Sequence, residues 1–213
     1  MRIAELSRQS GVPVPTIKYY LREGLLPSGE LTSPNQAQYD DTHLRRLRLI
    51  RALLDIGGLS IGLVREVLVA METPDKPVHD VLGVVQRTIT PPRAVNDEHR
   101  GWADERVAEL VSRRGWDARP VDPSWRALSE VLMTLRQVDA DGVLALLDDY
   151  SKIAEDIAAV DVRSLIHRRS GTESVIEGMV VGTVLGDALL SALRRMAQQN
   201  ESSRYFGKKV VAG

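Results

Sequence analysis

Two glycines bracket the segment that most restricts how this chain can fold: Gly11 and Gly24 enclose Val-Pro-Val-Pro-Thr-Ile-Lys-Tyr-Tyr-Leu-Arg-Glu. Glycine adopts the left-handed backbone conformation that ends helices without the clash other residues suffer there. A first helix from Ile3 is therefore expected to stop at Gly11 and a second at Gly24. Pro13 and Pro15 set where the second one starts, because the first N–H groups of a helix have no intrahelical acceptor and proline's missing donor costs little there. Ile17 and Leu21, four apart, are expected on one face against Leu6, with Lys18, Tyr19 and Arg22 largely on the other. The chain thus opens on two short helices joined by a tight turn, and the second displays basic and aromatic groups together.

The pair Tyr19-Tyr20 alone would suit an ordinary core or surface. On a helix, however, the two rings diverge by about 100 degrees, so Tyr19 is expected outward and Tyr20 partly inward, beside the charges of Lys18 and Arg22 that phosphate contact needs. Residues 27–39 gather turn formers without helical period and read as a hairpin. Asp41-Thr42 are candidates to cap the next helix, where Leu44, Leu47, Ile50 and Leu54 form an inward stripe. Arg45, Arg46, Arg48 and Arg51 follow with no acid between them. A solvated charged face is the plain alternative, but uninterrupted positive charge favours a phosphate-facing surface. Gly57-Gly58 should end that helix and Ser60 cap another, with Leu63, Val64, Val67 and Leu68 inward. The Ser60 helix start also offers N–H groups to an anion.

These residues stand in a familiar order: Ile3-Ala4-Glu5-Leu6, Ser10-Gly11-Val12, Thr16-Ile17-Lys18-Tyr19-Tyr20, Glu23-Gly24-Leu25-Leu26-Pro27, Tyr39-Asp40 and Gly58-Leu59-Ser60. In order and spacing the stretch from Met1 to about Thr73 resembles the MerR family of transcriptional regulators. Beyond it the likeness weakens to actinobacterial-type members with helical C-terminal halves. The resemblance implies a winged helix-turn-helix with the 27–39 hairpin as first wing and the 57–72 unit as second. It also implies a homodimer on promoter DNA, bending and untwisting an overlong spacer so that RNA polymerase engages both elements. The expected DNA-contacting set is Arg2, Thr16, Lys18, Tyr19, Tyr20, Arg22, Gln38, Tyr39, Arg45, Arg48 and Ser60. Two positions depart from the family. Gln38 replaces the usual arginine before Tyr39, and Pro15 replaces a frequent arginine of the reading helix; a neutral amide bonds phosphate without releasing a counterion.

A chain of 213 residues, 43% hydrophobic, has room for one or two cored domains. The net charge of -1 argues against a nonspecific nucleic-acid coat, so local charge has to carry DNA binding. Residues 1–22 hold four Lys/Arg against one Glu, and residues 43–51 hold four Arg and no acid. Cysteine is absent, which excludes a disulfide, a thiolate metal site and a thiol redox switch. His79, His99 and His167 are too scattered to suggest a metal site, and no cofactor is expected. Glu5, Ser7, Arg8 and Gln9 interrupt any signal-peptide core, so a cytoplasmic protein is expected.

The expected organisation is mainly α: residues 1–73 as the winged helix-turn-helix, 74–118 as connecting or dimerisation helices, and 119–213 as a helical bundle for effector sensing or dimerisation. Proline pairs isolate a helix at Val78 to Ile89, and another is expected from Asn96 to Arg114. Trp102, Val107, Leu110 and Val111 suit either a dimer seam or packing onto the chain's own bundle. Trp125, Leu128, Val131, Leu132 and Leu135, then Val143 to Leu165, then Val175 to Met196 are periodic. In the last stretch Gly178, Gly182 and Gly186 align along one helix despite a cost of about 1 kcal/mol each relative to alanine. Tight helix packing is the first reading, and a ligand on exposed backbone the second. Only nine uncharged residues separate Glu177 from Asp187, against the roughly 20 a bilayer span needs, so no membrane is expected. A small-molecule effector would bias the DNA-bound geometry from a second site. Trp125, Tyr150, His167, Glu177 and Met179 are its candidate contacts, with a plain core or surface role as the first reading for each. The rivals are an enzyme or small-molecule-binding protein with the N-terminal domain as a tether, and a DNA-bending protein without an effector. No nucleophile motif or phosphate-binding glycine loop supports the former.

Overall fold

Gly11 (φ 70°) does what its sequence position requires: its N–H bonds the Ser7 carbonyl at 3.0 Å, closing helix α1 (Ile3–Ser10). The Ser10 hydroxyl then accepts from Val12 N at 3.2 Å, and the Ser7 hydroxyl donates to the Val12 carbonyl at 2.7 Å, tightening the turn into α2 (Val14–Arg22). A computed structural model describes residues 1–33, 36–73, 78–89, 99–166 and 172–206. Strands β1 (Glu30–Ser33) and β2 (Gln36–Gln38) pair antiparallel, Glu30 opposite Gln38 and Leu31 opposite Ala37. They are followed by α3 (Asp41–Arg51), a π-helical turn (Ala52–Ile56) and α4 (Ile61–Glu72). The mainly helical winged helix-turn-helix architecture is therefore the observed one.

The π turn overturns one expectation about the core. A wider turn inserts a residue into the helical register, so Leu53 is fully buried in the place expected of Leu54, which is only half-buried. The cap of α3 also differs: Asp40, one residue earlier than expected, is the N-cap and accepts from Thr42 N at 3.0 Å and His43 N at 3.2 Å. Its carboxylate can reach back over the first turn, which Asp41, already helical, cannot.

By contacts the chain forms two units, Met1–Pro74 with Met179–Gly213, and Asp75–Gly178. The core of the first comprises Leu6, Ile17, Leu25, Leu26, Leu47, Ile50, Leu53, Val64, Val67 and Leu68, all at most 2% exposed. The second contains α5 (Val78–Ile89), α6 (Arg100–Arg114), α7 (Pro123–Gln137), the short α8 (Asp141–Leu144) and α9 (Leu147–Ile166). Ala103, Val107, Trp125, Leu132 and Met133 form its buried cluster, with Trp102 and Val111 packed against it. Val107 and Leu110, held open between a seam and the chain's own bundle, are thus used inside this unit. Val131, expected inward, is exposed, because Ser129 and Glu130 take the buried side of α7.

The last helix, α10 (Thr172–Phe206), runs from the second unit into the first. Within the first unit Val184 is buried and lies against Gly57, just past the π turn. A methyl group at Gly57 would overlap Val184 Cγ1 and sit 2.7 Å from the Leu53 carbonyl oxygen. Two of the aligned glycines do not behave as expected: among the described residues a Cβ at Gly182 or Gly186 would meet nothing within 4 Å, whereas Gly178 is buried.

Gly57→Ala is expected to destabilise the protein by about 1–3 kcal/mol, the usual cost of overpacking. Val184→Ala should relieve part of that loss, so a double-mutant cycle by chemical denaturation should be non-additive; simple additivity would mean that α10 does not seat on Gly57.

Candidate nucleic-acid interface

The exposed side of α2 carries Lys18 and Arg22, one turn apart, with Tyr19 half-buried beside them. Tyr20 turns inward and is 5% exposed; the two rings sit 6.0 Å apart at 50°. Burial raises the Tyr20 phenol pKa, with the Arg51 charge opposing it, so this hydroxyl stays neutral near pH 7. Tyr39 is 7% exposed and packs edge-on against His43 at 5.2 Å, and burial raises its pKa as well. Tyr20 and Tyr39 thus place their rings in the core of the domain, leaving Tyr19 as the tyrosine of the set with substantial surface.

The wing is anchored at its base by backbone. Tyr39 N donates to the Met1 carbonyl at 2.8 Å, and Arg2 reaches Gln36 Oε1 at 3.1 Å. Gln38 is exposed on β2, and Thr16 is half-buried on the first turn of α2. Ser60 caps α4 by accepting from Leu63 N at 3.3 Å while remaining exposed.

The four arginines of α3 do not act together. Arg46, only 13% exposed in its side chain, donates from Nε to the Leu25 carbonyl at 2.9 Å and pairs with Glu72 at 2.7 Å. Arg51 pairs with Asp55 four residues on. The expectation that all four fields add is therefore corrected, since two are neutralised by nearby acids. Arg45 and Arg48 stay exposed and make no hydrogen bond or ion pair among the described residues, and the same holds for Lys18 and Arg22.

Arg65 of α4 completes what Arg46 begins. Its Nε donates to the Glu23 carbonyl at 2.9 Å and its other nitrogen pairs with the Glu23 carboxylate. Two cations thus hold the carbonyls just beyond α2, where the helix dipole is negative. Neither role was read from the sequence: the partner carbonyls lie 21 and 42 residues away, and no local pattern marks them.

In the second unit a cleft of about 640 Å³ is lined by Trp102, Arg106, Arg136, Asp139 and Asp141 among others, with the Arg136 guanidinium 4.4 Å from the Trp102 ring centre. Among the described residues, none of the expected effector contacts lines it. Trp125 is buried and donates to Asp104 at 3.1 Å, Tyr150 is exposed, Glu177 is half-buried and Met179 is buried. His167 lies outside the described residues.

Comparison with known proteins gives this geometry its context. Residues 1–70 match the model of the MerR HTH family regulatory protein. A solved structure from Streptomyces coelicolor A3(2), assigned as a transcriptional regulator, is 33% identical with a TM-score of 0.70, over 97% of this chain and 98% of that one. The chain belongs to the MerR family. Among curated relatives, the HTH-type transcriptional regulator ZntR homolog of Haemophilus influenzae is 44% identical over 50 residues, 24% of this chain and 37% of that protein. HmrR of Sinorhizobium medicae, also an HTH-type transcriptional regulator, is 32% identical over 84 residues, 39% of this chain and 56% of its own length. The chain therefore spans roughly a third to a little over half of these relatives.

Arg46→Met should lower unfolding stability by about 1.5–3 kcal/mol, the range for hydrogen bonds of charged groups. Arg45→Met, on the open side of the same helix, should change it by less than about 0.5 kcal/mol; equal effects in denaturant titrations would reverse the assignment of the two. Hydrogen bonds from the Thr42 hydroxyl, then from His43, hold the Asp40 carboxyl pKa well below the usual range. A depressed folded-state pKa gives stability that is complete above the ordinary value near 4 and is lost as pH falls through the folded value. The stability gap between wild type and Asp40→Ala should accordingly be widest near pH 7 and shrink on acidification below pH 4.

Proposed function

We propose that this MerR-type regulator binds a pseudo-palindromic promoter site as a homodimer and is controlled by a small molecule. Residues 1–73 bind DNA, 74–118 connect or dimerise and lend Trp102 to the sensing site, and the helical remainder from 119 serves sensing or dimerisation. The single observation that carries the DNA-binding surface is the sorting of charge. In a chain of net charge -1, Lys18, Arg22, Arg45 and Arg48 stay exposed without acidic partners among the described residues, while Arg46, Arg51 and Arg65 are paired. Clustered exposed cations without acidic partners raise the local positive potential, and duplex phosphate binds such a surface with release of counterions.

In this reading α2 enters the major groove with Tyr19, Lys18, Arg22 and Thr16, while Arg45 and Arg48 grip phosphates alongside. Arg2 and Gln38 act at the wing, and Ser60 contributes the start of α4 as an anion contact. Tyr20 and Tyr39 support that surface from beneath. The dimer deforms the promoter so that RNA polymerase engages it, with phosphate contacts on both sides offsetting the bending energy. The effector occupies the cleft beside Trp102 and Arg136, a flat aromatic face under a cation. This site replaces Trp125 and Met179, which are used in packing.

Protection mapping on the DNA upstream of the protein's own coding region tests the reading, with a footprint of two symmetric halves expected. Tyr19→Ala and Arg45→Ala should each weaken binding to the protected fragment. Arg45→Ala should also reduce the slope of log affinity against log salt by about 0.9, the share of one phosphate contact. Unchanged affinity in both variants would reject this face.

A further inference from the structure

Helix α9 uses its inner side within its own unit. Ser151 is buried and donates to the Asp148 carbonyl at 2.7 Å, while the Glu155 carboxylate accepts from Trp116 Nε1 at 2.8 Å and pairs with Arg114. The opposite side carries an apolar stripe. Leu146, whose carbonyl accepts from Tyr150 N at 2.9 Å and so extends the helical turn backwards, is followed by Tyr150, Ile153, Ile157 and Val160 at alternating steps of four and three. That spacing keeps residues on one seam, along which two helices interlock. Leu146, Tyr150, Ile153 and Val160 are 39%, 41%, 52% and 56% exposed, and Ile157 is half-buried. The stripe is about 21 Å long, roughly four turns. Asp149 and Asp156 border it on one side and Asp161 on the other, the positions that meet the flanks of a partner helix. None of these three carboxylates makes a hydrogen bond or ion pair among the described residues. Lys152 lies farther round the helix, behind Asp149 and Asp156, and Arg163 follows the last apolar position, so the border of the seam stays acidic.

We propose that this face of α9 docks a helix of another protein whose apolar stripe is bordered by lysine and arginine. Charge selects the partner. A second α9 is disfavoured, because antiparallel pairing sets Asp149 near Asp156 of the other copy and parallel pairing sets Asp156 near Asp161, both contacts between like charges. A lipid surface is disfavoured as well: helices that lie on membranes border their apolar face with cations, and anionic headgroups repel carboxylates. Duplex phosphate is repelled for the same reason. A basic amphipathic helix satisfies both features at once, covering the apolar stripe and pairing its flanks with the three acids. A contact of four turns is smaller than a standard protein interface, so the association is weak and reversible, in the micromolar range. The inference stands apart from DNA binding, since α9 belongs to the second unit.

Fluorescence anisotropy of the full-length protein with a labelled synthetic helix of three heptads, leucine along the seam and lysine on both borders, tests this. The lysine borders repel one another, which keeps the peptide from pairing with itself. Micromolar binding is expected, and a peptide with glutamate borders should bind about tenfold more weakly. Asp149→Asn with Asp156→Asn should weaken the lysine peptide about fivefold and flatten its dependence on salt. Ile153→Asp with Val160→Asp should abolish binding although it adds negative charge; both positions are exposed, so thermal unfolding should be little changed. Absence of binding by the lysine peptide, equal binding of the two peptides, or unchanged affinity in the asparagine variant would overturn the proposal. Binding that survives the aspartate substitutions would do so too, as general attraction of a cationic peptide. A changed oligomeric state of the aspartate variant in light scattering would give the seam to a second copy instead. Wild-type binding to phosphatidylglycerol vesicles that is lost in that variant would give it to lipid.

Discussion

The N-terminal domain depends on two arginines whose charges are paired within it. Arg46 and Arg65 come from separate helices and bind the Leu25 and Glu23 carbonyls at the end of α2. A helix of nine residues has little stability of its own. Its position is fixed by burial of Ile17 and Tyr20 on one side and by these two cations at its negative end. Since α2 carries the exposed Lys18 and Arg22, the clamp sets where those two cations sit.

The same economy separates paired from unpaired cations. Arg46 and Arg51 have acids within reach of their helix faces, Glu72 from α4 and Asp55 from the π turn. Arg45 and Arg48 point where no acid follows. An exposed ion pair contributes at most about 1 kcal/mol, so the distinction matters less for stability than for the potential outside the protein. What remains positive is a pair of cations on α2 and another on α3.

The helical remainder divides its apolar residues in a comparable way. α6 and α7 use theirs on one another, closing a small core around Trp125 and Met133. α10 uses one side against the N-terminal unit and leaves the other bare. The contact of Val184 with Gly57 ties it to the π turn that follows α3.

Sequence alone determined what local backbone chemistry controls. Gly11, Pro13 and Gly24 fixed the ends of the first helices, turn formers located the wing, and helical period marked the rest. The outward Tyr19 and inward Tyr20 followed from the 100-degree step between neighbours on a helix. Local pattern could not specify that a π turn would bury Leu53 in place of Leu54, that Asp40 rather than Asp41 would cap α3, or that Arg46 would turn inward. Nor could it show that Gly182 and Gly186 of α10 face open space and that the cleft forms beside Trp102 rather than Trp125. Each of these depends on which distant group arrives beside a residue, and a side chain's partner across 20 or more residues is decided only when the helices pack.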